Sequence, residues 1–474
     1  MNKLRHLVCC AIAVAALTAC GGGGGGGGDA PSSNELPVTL GQPGPGDPDA
    51  YLPLVQGNFW HFRGTTVAGG ATTSFETSVQ VTGTRIVGGV TALVLREADT
   101  TAGSGGEASD QSVVKDLNGL AVLETGSDPL TLSLVPYWEL RFPLQSGSTF
   151  VQLDRTEVDM GEDLDGDGRN EQIDVLSTVT VVGFETVSVP AGTFSEAAHI
   201  RRQLALKVRL SGDGRVIEAS ETTHAWFARG VGWVRRSSTI AALGESITTD
   251  QSLDAYFVGG VAVGMQDATG PVHNGTLGAE GTSFSLWRSV PAGRNTVALT
   301  GLTGEAYLRV LSASCTVRSG SQRVGTAPED CTFDTGAGPV VVQVTGATGT
   351  RYQLWQALAP NVSSPATEAR AFNSGTPTVG QVATRGDSTY SVAGLTPGAY
   401  TISIAGLSAD ADLKVYSDET YSLEQDCTLR APGDVLEGPE DCTIVSGGSV
   451  YFRVRSGEVN RDGSSYLMLV HPAP

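Results

Sequence analysis

The chain has 474 residues, 62 of them glycine, and carries 50 acidic against 30 basic side chains, for a formal charge of −20. That acidity excludes nucleic acid and anionic lipid headgroups as electrostatic partners. The length and the glycine content point to two to four β-rich domains rather than one core.

The chain opens with Lys3 and Arg5, then an apolar run from Leu7 to Leu17 that is too short to cross a bilayer. This is the pattern of a signal peptide over residues 1–19. Leu17-Thr18-Ala19-Cys20 resembles the lipobox of bacterial lipoproteins. The resemblance implies cleavage before Cys20, acylation of its thiol with diacylglycerol bearing chains such as palmitate, and a membrane anchor through that lipid. Gly21 stands where such lipoproteins carry aspartate when they are kept at the inner membrane, so the expected destination is the outer membrane, on its periplasmic face or at the cell surface. Residues 20–50 then form the lipidated cysteine and a Gly/Pro-rich tether that cannot bury a core. As a flexible coil it reaches ~30 Å, at ~5–6 Å times the square root of its length.

From Tyr51 to Val258 short alternating segments are broken by glycine turns, which predicts an antiparallel β domain, a half-barrel or a sandwich. The clearest hairpin rises through Leu204, Leu206, Val208 and Leu210 and turns at Ser211-Gly212-Asp213-Gly214. Three phrases resemble β-domains recurrent in bacterial lipoproteins, which have no assigned activity. They are Tyr51-Leu52-Pro53-Leu54 with Gly57-Asn58-Phe59-Trp60, Val189-Pro190-Ala191-Gly192-Thr193-Phe194, and Trp226-Phe227-Ala228 with Gly230-Val231-Gly232-Trp233. Trp60, Trp226 and Trp233 are expected to pack in the core; the alternative is an aromatic ligand surface.

Two copies of one module follow, over 276–357 and 375–474. Gly293, Gly301-Leu302, Ala306, Leu308 and Val310 match Gly398, Gly406-Leu407, Ala411, Leu413 and Val415 at an offset of 105. Pro328-Glu329-Asp330-Cys331 matches Pro439-Glu440-Asp441-Cys442 at an offset of 111. With Cys9 and Cys10 removed with the signal and Cys20 acylated, Cys315, Cys331, Cys427 and Cys442 remain, an even set suited to an oxidising compartment. The repeat argues for Cys315 with Cys331 and Cys427 with Cys442, although four cysteines allow other pairings. Each bridge would be worth ~3 kcal/mol on chain-entropy grounds. The run from Gly406 to Tyr416 with its Asp410 and Asp412, followed by Asp426-Cys427 and Pro439-Glu440-Asp441-Cys442, resembles the bacterial pre-peptidase C-terminal domain. That family implies tandem jelly-roll-like β-sandwiches with an accessory role in secretion, stability or surface binding. The fold class expected for the whole chain is all-β.

The sharpest site signal is the run from Asp163 to Asp174, which fits the calcium loop D-x-D-x-D-G. Asp163, Asp165 and Asp167 occupy positions one, three and five. Arg169 offers its carbonyl at seven, and Glu171 and Asp174 stand at nine and twelve. Calcium needs six to eight oxygens, and a tight turn at Gly168 lets alternating carboxylates converge. The flanks are strand-like, so Ca²⁺ is expected in a structural role, clamping a hairpin loop.

Motifs for nucleophile elbows, zincins, P-loops and Rossmann turns are missing from the sequence. His61, His199, His224, His273 and His471 are scattered singly and are expected to be surface or hydrogen-bonded side chains; the alternative is that His199 and His224 approach one another, with Glu196 or Glu221 as partner. Asn274-Gly275-Thr276 reads as a turn. The composite reading is a non-catalytic envelope lipoprotein displaying β-sandwich modules to a polysaccharide or protein ligand, stabilised by calcium and disulfides. Two others stay open: an exported hydrolase with its chemistry in residues 51–258, and a carrier of a lipophilic molecule in a half-barrel.

Overall fold

The computed structural model describes residues 51–101, 108–125, 129–311, 313, 315, 327–358, 370–371, 374–427, 429–430, 438–456 and 463–474. The signal peptide, Cys20 and the tether lie outside the described residues. The chain is all-β and divides into two compact units, Met1–Gly264 and Met265–Pro474. Among the described residues no helix is long and apolar enough to cross a membrane.

The first unit runs β1 (Phe59–Ala68), β2 (Ala71–Val87), β3 (Val90–Asp99), β4 (Ala108–Asp116), β5 (Gly119–Thr125), the short helix α1 (Pro129–Leu134), β6 (Tyr137–Arg141) and β7 (Thr149–Asp159). It continues with β8 (Gln172–Val189), β9 (Gly192–Arg209), β10 (Val216–Ala228), β11 (Gly232–Ala242), β12 (Glu245–Val258) and β13 (Val261–Val263). These form one antiparallel sheet in the order β6-β5-β4-β3-β2-β1-β12-β11-β10-β9-β8-β7, with β13 on β12. Each hairpin neighbour pairs with the next, and β1 pairs with β12, so the sheet's free edges are β6 and β7, two strands consecutive in the chain. Gln152 of β7 bridges those edges, its Nε2 donating to the Trp138 carbonyl at 3.1 Å and to Glu139 at 3.2 Å on β6. Arg141 of β6 lies over the Phe150 ring of β7. The sheet is therefore a nearly closed barrel whose inner face carries the core.

Strand alternation sorts the side chains. On β9, Ile200, Leu204, Leu206 and Val208 are buried inward, while Gln203, Ala205, Lys207 and Arg209 are exposed. The three lipoprotein-like phrases meet at one barrel end. Leu52 is fully buried in the core, and its carbonyl accepts from Lys115 Nζ at 2.8 Å. Trp60 Nε1 donates to the Val231 carbonyl at 2.5 Å, and the Trp60 and Trp233 rings meet edge to face at 5.4 Å. Ala191 N donates to the Leu253 carbonyl at 3.0 Å.

The second unit begins with β14 (Gln266–Asp267), β15 (Val272–Thr276), β16 (Thr282–Val290), β17 (Gly293–Thr300), β18 (Ala306–Val310), β19 (Glu329–Thr335), β20 (Gly338–Gly346) and β21 (Arg351–Leu358). They make two four-stranded sheets, β14-β16-β20-β18 and β15-β21-β17-β19, around one hydrophobic core. Then come β22 (Arg370–Ala371), β23 (Thr378–Val382), β24 (Asp387–Ala405), β25 (Ala411–Tyr416), β26 (Leu429–Arg430), β27 (Glu440–Ser456) and β28 (Ser464–Pro472). These form one seven-stranded sheet with its own core. Asn274-Gly275-Thr276 is not the turn expected but part of β15, paired with β21. Gly275 is needed there because a Cβ would stand 2.2 Å from the Tyr352 ring, and Gly380 meets Tyr466 at 2.3 Å in the same way.

The repeated Pro-Glu-Asp-Cys phrase does three separate jobs. Its glutamate caps a strand of its own core: Glu329 accepts from Leu308 N at 2.6 Å and Glu440 from Leu413 N at 2.7 Å. Its aspartate reaches across to the other copy: Asp441 accepts from Gly301 N at 2.8 Å, and Asp330 from Gly406 N at 2.5 Å. Its cysteine closes a disulfide, Cys315–Cys331 or Cys427–Cys442. Gly301 and Gly406 both have φ near +60°, the left-handed region that favours glycine. Thr296 with Thr332 and Thr401 with Thr443 form matching buried hydroxyl pairs. Ala298 and Trp355 pack against Ala405, Leu467 and Leu469 in the same seam, so equivalent surfaces of the two copies face each other.

Burial of Asp441 pushes its carboxyl up to about 7, opposed only by the Gly301 N–H. The folded unit therefore holds a proton that the unfolded chain, with a carboxyl near ~4, has lost, and stability falls as pH rises from about 4 to about 7. Asp441→Asn keeps an acceptor for Gly301 N and removes the charge. Its melting transition is expected to lie above that of the natural chain at pH 8 and to flatten across this window in calorimetry; an unchanged pH profile would contradict the assignment.

Candidate functional site

The acidic loop joins β7 to β8 at the barrel end opposite the Trp60 cluster. Leu164 packs onto the core and Met160 is buried, which anchors the loop at both sides. Asp163 accepts from the N–H groups of Gly166 at 2.6 Å, Asp167 at 3.1 Å and Gly168 at 2.9 Å. Glu171 is fully buried; one oxygen accepts from Leu164 N and Asp165 N, and the other from Ser211 N at 2.7 Å. Asp165 accepts from Gly212 N at 2.8 Å, and Asp167 from the Ser211 hydroxyl at 2.9 Å. Three acids of one loop thus hold the β9–β10 turn.

Asp163, Asp165 and Glu171 each offer an oxygen within 4.8 Å of the others. Their donors are all carboxylate oxygens, the ligand type that calcium takes. Asp167 lies in the same turn, and Arg169 donates its N–H to Asp167 at 2.9 Å. Asp174 is not brought to this group. Strand β8 has begun at Gln172, its inward positions are Ile173 and Val175, and Asp174 accepts from Glu157 N at 2.9 Å.

A second cluster lies on the outer face of β8–β11. His199 Nε2 and His224 Nδ1 are 2.7 Å apart, so the two side chains that could approach one another do so. Their carboxylate partner is neither Glu196 nor Glu221. It is Glu185 on β8, which stands 3.1 Å from His199 Nδ1 and accepts from Trp226 Nε1 at 2.5 Å. Trp226 is partly buried against the barrel core as expected, and its ring also stacks on His199 at 4.5 Å and lies under the Arg235 guanidinium at 5.3 Å. Partial burial lowers both histidine pKa values; Glu185 opposes this for both, and Arg201 adds to it.

The remaining histidines serve other contacts. His61 is buried between Asp254 at 2.5 Å and the Thr100 hydroxyl at 3.1 Å. Burial works against its cation, but hydrogen bonds and charge from Asp254 and Glu76 outweigh that and raise its pKa. His273 meets Gln266, and His471 meets Gln353.

Inside the barrel, sequence reasoning missed a group of buried polar side chains. Arg202 of β9 pairs with Glu221 of β10 at 2.8 Å, both buried. Ser177 donates to Gln152 at 2.8 Å, and Glu139, Arg236 and Glu97 complete the group. Burial pushes Glu97 up to about 7 against the pull of Arg236. The signal was present: Arg202 and Glu221 occupy inward phases of strands that otherwise place Leu204, Leu206 and Ala219 there. A wholly lipophilic ligand there would face charged groups that it cannot satisfy.

No protein-family model matches the chain, and no curated protein does. Two solved structures are similar over 44% of this chain and 99% of their own length. One is a protein of Parabacteroides distasonis provisionally described as a lipoprotein, 12% identical with a TM-score of 0.25. The other is a provisionally assigned exported protein with a YmcC-like fold from Bacteroides fragilis, 13% identical with a TM-score of 0.24. At those scores neither bears on function.

Calcium is expected to raise the melting temperature of the barrel, and Asp165→Ala or Glu171→Gln to abolish that rise, whereas Asp174→Asn keeps it. Melts with calcium and with chelator that coincide would count against the site. Arg202→Ala leaves Glu221 buried without its partner and is expected to cost ~3–5 kcal/mol in urea unfolding; a loss below about 1 kcal/mol would show that the pair is not desolvated.

Proposed function

We propose that the chain is a lipid-anchored protein of the bacterial outer membrane that acts by binding a polysaccharide or protein rather than by catalysis. In this reading a barrel stiffened by calcium and two pre-peptidase C-terminal-like sandwiches stapled by disulfides are held off the membrane by the glycine tether. One observation carries it: the sequence's most reactive-looking groups are spent on holding the fold. Asp165, Asp167 and Glu171 grip the β9–β10 turn, and Asp330 and Asp441 grip main-chain N–H groups across the seam.

The hydrolase reading draws on the Glu185–His199 contact, but that group sits on an outer sheet face with Glu185 half exposed, not in a cleft. The carrier reading meets the buried polar side chains around Arg202 and Glu221. The lipid anchor rests on Cys20, and Cys20→Ala is expected to move the protein from the detergent phase to the aqueous phase. Unchanged partitioning would sink the anchor. The acyl-free variant is expected to bind saturably on an array of envelope polysaccharides and proteins; turnover of ester or glycoside substrates without such binding would overturn the reading in favour of an enzyme.

A further inference from the structure

We propose that His199 and His224 form a surface copper(II) site, with Glu185 as the positioning residue behind His199. The two imidazoles stand on neighbouring antiparallel strands, where His199 pairs with Trp226 and His224 with Arg201, so they meet on the diagonal of one outer face. Their facing nitrogens, His199 Nε2 and His224 Nδ1, are 2.7 Å apart. Two imidazole nitrogens brought together on one face suit a borderline divalent ion, and copper(II) heads the affinity order of such ions for nitrogen ligands.

The support behind the pair is already in place. His199 Nδ1 faces Glu185 Oε1 at 3.1 Å, the carboxylate–histidine arrangement that fixes which ring nitrogen is free for a metal. With the Nδ1 proton held by Glu185, His199 Nε2 carries a lone pair. The metal-free contact is then a hydrogen bond from His224 Nδ1–H. Metal binding moves that proton to His224 Nε2, so the imidazole changes tautomer and loses no charge-balancing proton. Glu185 also accepts from Trp226 Nε1, and the Trp226 ring is stacked on His199, which limits rotation of the ligand ring. Arg201 opposes a cation on this face, and Arg235 is paired with Asp250 at 2.8 Å. Both imidazoles are partly exposed, which leaves the remaining coordination sites to water.

The test uses the mature lipidated chain in detergent, with millimolar calcium present to occupy the acidic loop. Copper(II) titration is expected to quench Trp226 fluorescence at one equivalent and to give an electron paramagnetic resonance spectrum with hyperfine coupling from two imidazole nitrogens. His199→Ala and His224→Ala should each weaken binding at least 100-fold, and Glu185→Gln about 10-fold, in the range found for outer-shell partners. All three side chains lie on the outer face, and the melting curve of each variant reports whether its barrel stays folded. Copper bound with equal affinity by the His199→Ala/His224→Ala double variant overturns the proposal. So does a spectrum without nitrogen coupling, or zinc binding tighter than copper.

Discussion

The pairing of β1 with β12 is the constraint on which the amino-terminal unit depends. A meander left open would expose two long edges far apart, with rows of unpaired N–H and C=O groups. Joining the first strand to the twelfth moves the free edges to β6 and β7, which a short link connects and which Gln152 and Arg141 tie together. The same pairing brings Leu52 and Trp60 to the end where the β8–β9 and β10–β11 turns lie, so one chain segment plugs the barrel that it starts. The other end is left to the acidic loop, and its grip on Ser211 and Gly212 takes the place that apolar packing takes opposite.

The carboxy-terminal unit solves a related problem by repetition. Two small β structures, each with a modest core, bury a shared face through Ala298, Trp355, Ala405, Leu467 and Leu469. The main-chain N–H groups of Gly301, buried, and Gly406, partly buried, need acceptors at that face, and each receives an aspartate from the other copy. Because Glu, Asp and Cys are consecutive on a strand, Glu329 and Cys331 turn toward their own core while Asp330 turns outward. One short phrase therefore caps, docks and cross-links by strand alternation alone.

How much of this was legible depends on sequence distance. The all-β class, the duplicated phrase and the carboxylates at 163, 165, 167 and 171 are local patterns, and the structure brings Asp163, Asp165 and Glu171 together. Asp174 could not be judged from loop spacing, because the onset of β8 turns it to the wrong side. That His199 and His224 approach could be read from hairpin spacing, but Glu185 joins them only through the register of a third strand. Asp330 and Asp441 were visible as repeated residues, yet nothing local tells a residue that serves its own copy from one that serves the neighbour. Trp226 was legible as a residue packed on the core, but its stacking on His199 depends on the pairing of β9 with β10.

The buried Arg202–Glu221 pair shows why such misreadings cluster at polar positions. A pair of this kind adds less stability than well-packed leucines would, since desolvation offsets most of its attraction. What it adds is register. Sliding β10 by one residue against β9 would turn Glu221 outward and leave Arg202 facing the interior without its hydrogen-bonded carboxylate, a far larger penalty than shifting one aliphatic contact. The same slide would part His199 from His224 on the outer face, because both pairs hang from the same β9–β10 ladder. The inner ion pair therefore holds the outer histidines in place, and the acidic loop, by fixing the β9–β10 turn at 211 and 212, holds the ladder from its far end.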